Sequence, residues 1–522
     1  MMGSALVALG TIAACRSINF TGPRDTSGKA APPDLLGAMP DLLVPTGPTA
    51  TPINLQTRVD VLIVVDDSPS MKPKQIALGS AFSEVVKAVN QGRDSGRPGQ
   101  YHIGVITSDL GAATTVISNC KAGGKGAKLQ PIGEGADTDC LPPTGSSKFI
   151  DVDQIAGTSN LPSAPATASD PLSWTFGCMS SVGDFGCGFE QTLESTHKAL
   201  TDTTISENAG FLREEATLIV VFVTDEDDCS VPPNSDLFDP MKSDPPPAGY
   251  GVLQSYRCAN FGVVCTNPAT NLPERLPYAP TGTAWTNCRG ATAAEGGLLY
   301  ETARYKDLFN KPRSEGGIKH PGVRVALFGI TGPSAGGITV VEGNPPAPTG
   351  ADGQPAICTV AKPPYSQQCS VLEKHSCVIE PNNHADPGAR MREVIESAQT
   401  NALSSICDSF TSTLAAIGTL MTEEIGTGCL TRAIANPTEP SCTVEDVVYA
   451  GAATPTRTAL PKCDATSSNS PCWKLETNAA CAAVTSPVTN ATEQLRLSVV
   501  RTGAQPLNTG VTASCITVAP KS

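Results

Sequence analysis

An apolar segment that runs directly into acidic and hydroxyl side chains is the feature that most limits how this chain can fold. Residues 59–65 have the sequence Val-Asp-Val-Leu-Ile-Val-Val, and Asp66, Asp67, Ser68 and Ser70 follow at once. A nearly continuous run of β-branched residues is typical of a parallel strand that is covered on both faces. In an open α/β sheet, ligands bind beyond the carboxyl ends of such strands. We therefore predict a doubly wound, mostly parallel α/β sheet with a polar site after this strand.

The side chains of this loop are hard oxygen ligands. Carboxylate and hydroxyl oxygens suit Mg²⁺, Mn²⁺ or Ca²⁺ better than zinc or copper. The spacing Asp66-x-Ser68-x-Ser70 resembles the first motif of the metal-ion-dependent adhesion site of von Willebrand factor A (vWA) domains. This resemblance implies that both serine hydroxyls bind the metal directly and that Asp66 acts largely through water. The alternative is a helix N-cap and turn, because Asp and Ser are good capping residues.

Two further loops are implied by the vWA resemblance. One should present an Asp at the end of the central strand, and Asp225 follows the apolar segment 217–224. The other should present a Thr just before a helix, but the corresponding segment, 186–194, has no Thr clearly in register. Either Glu190 or Thr192 replaces it, or the position is empty. A carboxylate there would favour tight metal binding with less demand for an acidic partner.

Two groups of acids near these loops have alternative interpretations. The run Asp225-Glu226-Asp227-Asp228 is either a second calcium site or a solvated loop. Asp67 is either part of the polar site or a residue that hydrogen-bonds the backbone of its turn, as Asp commonly does.

A receiver domain of two-component systems is the competing resemblance for residues 63–71, because that family also places acids after its first strand. Asp109 lies at a suitable distance to be its phosphoacceptor. The rest of the receiver pattern is missing. No Lys-Pro pair ends a later strand at a suitable distance, and residues 110–188 are loop-like and contain cysteines. We therefore favour the vWA resemblance.

Strands and helices are expected to alternate along the chain, as a doubly wound sheet requires. The segments between them are rich in Pro, Gly and Cys, and loops of such length are functional or need stapling. Further strands are predicted at 102–107, 217–224 and 323–330, helices at 78–89, 190–201, 293–309 and 408–425, and long loops at 110–188, 229–290 and 332–385.

The N-terminus resembles a bacterial lipoprotein signal. Residues 1–15 are too short to span a bilayer as a helix, and they end in Ile-Ala-Ala-Cys15. The resemblance implies cleavage before Cys15 and acylation of its thiol, although the segment contains no Lys or Arg. The alternative is an apolar N-terminal helix. Arg16, rather than Asp, is compatible with sorting to the outer membrane, and the Pro- and Gly-rich residues 16–56 are predicted to be a tether.

The cysteine content predicts export. Of 19 cysteines, 18 remain after Cys15, an even number compatible with nine disulfides, and disulfides are rare in a reducing cytoplasm. The absence of any CxxC pair and the presence of only five His argue against structural zinc. Connectivity cannot be deduced from the sequence, although Cys178 with Cys187 and Cys258 with Cys265 are close enough to close small loops.

Residues 57–428 are predicted to form a vWA-like domain, and residues 429–522 a small Cys-rich β module. Segments 224–230, 186–191 and 256–258 resemble vWA-like lipoproteins of predatory and fruiting deltaproteobacteria such as myxobacteria. We therefore expect the protein to lie in the cell envelope, attached to the membrane through its lipid alone, or to be secreted.

The vWA resemblance implies a protein partner whose acidic side chain completes the coordination of the metal. A net charge of −14 without a basic patch argues against nucleic acid. No His lies near either site loop in sequence, and GxSxG and HExxH motifs are lacking, so we expect no enzyme. The alternative function is that of a structural envelope lipoprotein with a degenerate vWA fold and no metal.

Overall fold

A computed structural model describes residues 48–342 and 371–519, apart from residues 116, 245, 381–382, 450–453, 465–469, 504 and 507. The predicted signal, with Cys15, and most of the predicted tether lie outside the described residues. None of the described helices is both long and apolar enough to cross a membrane.

The strands are β1 (Thr49–Ile53), β2 (Arg58–Val65), β3 (Gln100–Thr107), β4 (Ile150–Asp153), β5 (Thr158–Ser159), β6 (Thr217–Val223), β7 (Val263–Thr266), β8 (Pro273–Arg275), β9 (Thr286–Gly290), β10 (Val325–Thr331), β11 (Val340–Glu342), β12 (Val371–Glu373), β13 (Cys377–Glu380), β14 (Asn383–Ala385), β15 (Thr400–Ser405), β16 (Ala433–Ile434), β17 (Cys442–Val448), β18 (Thr456–Ala459), β19 (Cys472–Thr477), β20 (Val484–Thr485), β21 (Thr492–Glu493), β22 (Leu495–Val500) and β23 (Thr509–Val518). The α-helices are α1 (Lys72–Ala81), α2 (Ser83–Asp94), α3 (Pro171–Ser180), α4 (Thr192–Thr201), α5 (Tyr256–Gly262), α6 (Ala303–Asn310), α7 (Ala389–Ser397) and α8 (Thr411–Glu424).

A seven-stranded sheet with the order β15-β10-β6-β2-β3-β4-β5 forms the centre of the fold. The five strands from β15 to β3 are parallel, and β4 and β5 add an antiparallel edge. The chain leaves β2 for β3 on one side and later returns to β6 on the other. The carboxyl ends of β2 and β6 therefore meet where the direction of winding reverses, which is where such sheets bind ligands.

Side chains of β2 alternate between two apolar layers. Val59, Val61, Ile63 and Val65 pack with α1, α2 and α8 on one face. Leu62 and Val64 pack with α4, α6 and α7 on the other. Because successive side chains of a strand point to opposite faces, a nearly continuous apolar run is expected where both faces are covered. All eight residues of β2 and all seven of β6 are buried, which explains the run that predicted them.

Two helix predictions are wrong in where the helices begin and end. The apolar stripe from Leu78 to Val89 belongs to two helices, α1 and α2, which meet at Phe82. The helix predicted at 293–309 begins only at Ala303. It is preceded by a 3-10 turn that ends at Gly296, whose left-handed backbone (φ 80°) cannot continue a helix.

Eight disulfides join the cysteines among the described residues, and Cys358 and Cys369 lie outside them. The small loops considered for Cys178 with Cys187 and for Cys258 with Cys265 do not form, since each of these cysteines pairs with a more distant one. The long loops are thereby stapled by disulfides, as predicted. The pairs are Cys120–Cys187, Cys140–Cys178, Cys229–Cys258, Cys265–Cys288, Cys377–Cys407, Cys429–Cys481, Cys442–Cys515 and Cys463–Cys472.

The C-terminal region is a Cys-rich β structure in which β23 is paired with β1, β17 and β16. Residues Thr49–Ile53, which lie within the predicted tether, form β1 and pair along five residues with β23. The described structure thus begins with a strand of the C-terminal sheet rather than with the central sheet. Together, the mostly parallel sheet, the disulfide-rich insertions and this β region confirm the predicted fold class.

Candidate metal site

The first loop of the candidate site is held at the end of β2 by short backbone contacts. The Asp66 amide donates to Val223 O at 3.0 Å, and Asp66 Oδ1 accepts the Ser68 amide at 2.8 Å. The hydroxyl oxygens of Ser68 and Ser70 lie 3.1 Å apart. Of the alternative interpretation, a helix N-cap and turn, the turn is therefore present but the cap is not. Met71 occupies the N-cap of α1, and no side chain caps that helix.

The third loop lies directly beside the first. The Thr224 hydroxyl donates to Asp66 Oδ2 at 2.8 Å and accepts the Glu226 amide at 3.2 Å. Asp225 Oδ2 accepts the Lys74 ammonium at 2.5 Å, while Asp225 Oδ1 is buried without a hydrogen-bond partner among the described residues. Asp66 and Asp225 are thus close together, as their positions after neighbouring strands suggested.

Glu190, on the second loop, is buried just before α4. Its Oε1 finds no hydrogen-bond donor within the described part of the chain. Burial raises the pKa of Glu190 well above its usual value, and the charges of Glu226 and Asp66 raise it further. Thr192 Oγ1 is also buried and has no described hydrogen-bond partner. The structure therefore offers both an unpaired carboxylate oxygen and an unpaired hydroxyl on this loop among the described residues.

Crowded carboxylates dominate the electrostatics of the site. Burial raises the pKa of Asp66 to about 8, and the neighbouring Asp225 adds to the rise. Glu226 also has a pKa well above its usual value, because it is desolvated and surrounded by Asp386, Asp225 and Asp66. In a low dielectric medium, neighbouring carboxylates resist ionising together. A bound cation would instead favour the ionised form of these carboxylates.

Asp67 forms an ion pair of its own with Lys125. Lys125 Nζ lies 3.1 Å from Asp67 Oδ2, and the pKa of Asp67 is raised to about 6 by burial against the opposing effect of Lys125. A Cβ atom at Gly186 would lie 2.2 Å from Asp67 Oδ1, so this approach of the second loop requires glycine.

The last two acids of the run 225–228 serve the fold. Asp227 accepts the amides of Arg390 and Met391 at the start of α7. Asp228 accepts the Leu193 amide at the start of α4 and pairs with the Arg390 guanidinium at 3.0 Å. Both carboxylates are buried. Asp227 and Asp228 are therefore neither in a solvated loop nor free to form a second calcium site.

The donor chemistry of the site fits a hard divalent cation. The hydroxyl pair of Ser68 and Ser70, the carboxylates of Asp66 and Asp225 and the unpaired Glu190 Oε1 supply only oxygen. Among the described residues, no group of three or more His, Cys, Asp and Glu side chains is arranged to hold a metal ion. Metal binding by Asp66, Ser68, Ser70, Asp225 and Glu190 therefore stays a prediction that depends on the serine hydroxyls.

Three neighbours of the site were not found from the sequence. Lys74 contacts Asp225, as described above. His375 and His384 lie 150 and 159 residues beyond the third loop's Asp225, and their rings stack with centroids 3.5 Å apart. His375 Nδ1 lies 2.6 Å from Asp386 Oδ1, which raises the pKa of His375. In the sequence, only Lys74 could have been linked to the site, because it lies four residues after Ser70. The two histidines belong to a segment that is distant in the sequence.

Comparisons with known proteins give structural similarities of low identity. No protein-family model and no curated protein matches the chain. Similar solved structures include a von Willebrand factor type A protein from Catenulispora acidiphila (10% identity, 91% of this chain and 63% of that chain, TM-score 0.24). The pilus adhesin RrgA from Streptococcus pneumoniae is 11% identical, with 90% of this chain and 58% of that chain covered and a TM-score of 0.27. The adhesive tip pilin GBS104 from Group B Streptococcus agalactiae is 11% identical, with 91% of this chain and 81% of that chain covered and a TM-score of 0.25. The chain spans less than two thirds of the first two, and similarities of this size identify no ligand.

Proposed function

We propose that this chain is an exported, lipid-anchored protein of the cell envelope that binds a protein partner through a divalent cation. The observation that carries the proposal is the meeting of a serine hydroxyl pair with the buried carboxylates of Asp66, Asp225 and Glu190 at the switch point of the sheet. Export is supported by the eight disulfides, which suit an oxidising compartment.

Ser68, Ser70 and Asp225 would hold Mg²⁺, Mn²⁺ or Ca²⁺, with Asp66 and Glu190 adding negative charge around the ion. A bound cation would offer a coordination position to a carboxylate of the partner. Thr224 fixes the orientation of Asp66 through its hydrogen bond. The role of these residues is thus binding rather than catalysis.

Apolar side chains on the segments that touch the first loop support a protein partner. Phe185 is 79% exposed and precedes Gly186, whose amide donates to Asp67 O at 2.8 Å. Ile76 is 63% exposed and follows Gln75, whose amide group donates to Asp66 O at 3.0 Å. Aromatic side chains such as Phe185 are enriched in protein-binding surfaces.

One observation favours the alternative of a structural protein without a metal. The Lys74 ammonium already neutralises Asp225, so the third loop has a positive charge of its own. In that case the loops would be a stable, closed ion-pair network at the end of the sheet.

Calorimetric titration of Mg²⁺, Mn²⁺ and Ca²⁺ into the oxidised, chelator-treated full chain tests the proposal. We expect saturable binding that is lost in Ser68→Ala. The matched control is Ser80→Ala, because Ser80 is an exposed serine whose hydroxyl only donates to Ile76 O within α1. Absence of heat with all three ions, and of any thermal stabilisation by them, would remove the cation-dependent function and leave the structural alternative.

A further inference from the structure

We propose that Lys74 sets the affinity of the candidate site by acting as a tethered ammonium ion that competes with the divalent cation for Asp225. This inference rests on the proposed function, because it concerns the same site. It assigns an affinity-determining role to a residue that is not a metal ligand.

The Lys74 ammonium lies in a cage made only of oxygen atoms. It contacts Asp225 Oδ2 at 2.5 Å, His384 O at 3.0 Å and Ser70 O at 3.3 Å. The side chain is 2% exposed. An ammonium group has three donors and no acceptor, so this cage satisfies it completely. Oxygen-only surroundings of this kind are also what a hard cation requires.

The position of Lys74 in the chain is unfavourable without Asp225. Lys74 is in the first turn of α1, which begins at Lys72. The N-terminal end of a helix carries a partial positive charge, so a cation there is destabilising and an anion is preferred. Burying that cation adds a desolvation penalty that only a close carboxylate offsets. The contact with Asp225 therefore accounts for a lysine where the helix itself disfavours one.

The contact changes what Asp225 can offer to a metal. The Lys74 ammonium donates to Asp225 Oδ2, whereas Asp225 Oδ1 has no hydrogen-bond partner among the described residues. The ammonium also cancels one negative charge of the donor set. A divalent cation must therefore bind beside a positive charge or displace Lys74 from its cage, and either route weakens binding.

Lys125 provides a matched comparison within the same molecule. Its ammonium also lies among oxygens, at 2.8 Å from Val182 O, 3.1 Å from Asp67 Oδ2 and 3.4 Å from Glu134 Oε2. Its carboxylate partner, Asp67, is not one of the proposed ligands. Removing the charge of Lys125 should therefore leave the metal affinity nearly unchanged, whereas removing that of Lys74 should not.

The test compares Lys74→Met with Lys125→Met in the oxidised full chain. The dissociation constants for Mg²⁺ and Mn²⁺ are measured by calorimetry, and Tm is measured in chelator and in excess cation. For Lys74→Met we expect roughly tenfold or greater tightening, because a unit positive charge near the ion has been removed. We also expect a lower Tm in chelator that the cation restores, and no restoration in Lys74→Met combined with Ser68→Ala. Lys125→Met should bind like the parent protein.

Each result has a distinct meaning. Binding in Lys74→Met but not in the parent would support the competition and overturn the proposed function of the parent chain, because the ammonium would then keep its site closed. Equal or weaker binding in Lys74→Met than in the parent would overturn the competition while the proposed function stands. No binding in either protein would overturn both. Lys74→Gln, which keeps a hydrogen-bond donor, replaces Lys74→Met if that variant does not fold.

Discussion

The hydroxyl group of Thr224 donates a hydrogen bond of 2.8 Å to Asp66 Oδ2 and thereby joins two loops that are 158 residues apart in the chain. The same hydroxyl accepts the Glu226 amide, so it also fixes the start of the acidic run. The contact lowers the pKa of Asp66, against the larger effects of burial and of Asp225. Thr224 is therefore the residue that keeps the first and third loops in register.

Replacement of Thr224 by Val keeps the shape of the side chain but removes this hydrogen bond. Because Asp66 would remain buried with one donor fewer, we expect a loss of about 1–3 kcal/mol in the free energy of unfolding. Urea denaturation at pH 7 in chelator measures it. Thr419→Val, at an exposed threonine that bonds within α8, should change stability much less. Equal effects in the two variants would contradict the role given to Thr224.

Stability of the chelator-treated protein should fall as pH rises from 6 to 8. The folded state keeps a proton on Asp66 up to about pH 8, whereas the unfolded state loses it near the usual value of 3.8. A carboxyl group whose pKa is raised by folding contributes stability at low pH. This contribution is lost as the pH rises through the pKa of the folded state. The expected slope from this residue approaches about 1.4 kcal/mol per pH unit.

Urea titrations of the parent protein and of Asp66→Asn between pH 6 and pH 8 measure this slope. The window excludes higher pH, because Lys319 has a pKa lowered to about 8 by burial and acts in the opposite direction above that value. Asp66→Asn should have the shallower slope. Identical slopes would mean that Asp66 ionises freely in the folded protein.

The parts of the site that the sequence predicts are those that lie next to strands. Asp66 and Asp225 follow two apolar strands, β2 and β6, and parallel strands that pair side by side bring their ends together. Lys74 could not be predicted in the same way. Its cage includes His384 O, which comes from a hairpin 310 residues away, and no local pattern specifies where that hairpin packs.

Disulfide pairing and loop burial illustrate the same limit. Cys187 lies nine residues from Cys178 but bonds to Cys120, because tertiary packing and not loop length brings thiols together. The acids at 227 and 228 look solvent-exposed in a polar segment. They are buried since α4 and α7 both begin there and need acceptors for their free amides.

The ion pair between Asp228 and Arg390 should be one of the most costly contacts to break. Both side chains are fully buried, and the guanidinium also donates to Gly262 O and Tyr300 O. Replacement of Arg390 by Met would leave Asp228 buried without its cation, so we expect a loss of about 3–5 kcal/mol in the free energy of unfolding.

The control for that change is Arg304→Met. Arg304 pairs with Glu194 at 3.0 Å but is 37% exposed, and a solvent-screened pair contributes only about 0–1 kcal/mol. Chemical denaturation of the two variants in parallel gives the comparison. A smaller loss for Arg390→Met than for Arg304→Met would show that Asp228 finds another partner or takes up a proton.

The disulfide between Cys377 and Cys407 should stabilise both the fold and the surroundings of Lys74. It ties β13, the partner of the strand that contains His384, to the segment after β15. Because the bond closes a loop of 30 residues, its replacement by two serines should cost about 3–4 kcal/mol. The hairpin that supplies His384 O would then be less restrained, so the ammonium cage should loosen and bound cation should protect the variant more than the parent.

Urea denaturation in chelator and in excess Mg²⁺ measures both effects. The control is the paired serine variant of Cys463 and Cys472, which closes a loop of only nine residues in the C-terminal β region. The free energy of unfolding of this control variant should fall by about 2–3 kcal/mol by the same relation. Its response to Mg²⁺ should equal that of the parent. A similar response to Mg²⁺ in both variants would show that the hairpin does not affect the site, and Asp225 and Ser70 O would then have to hold the Lys74 ammonium without it.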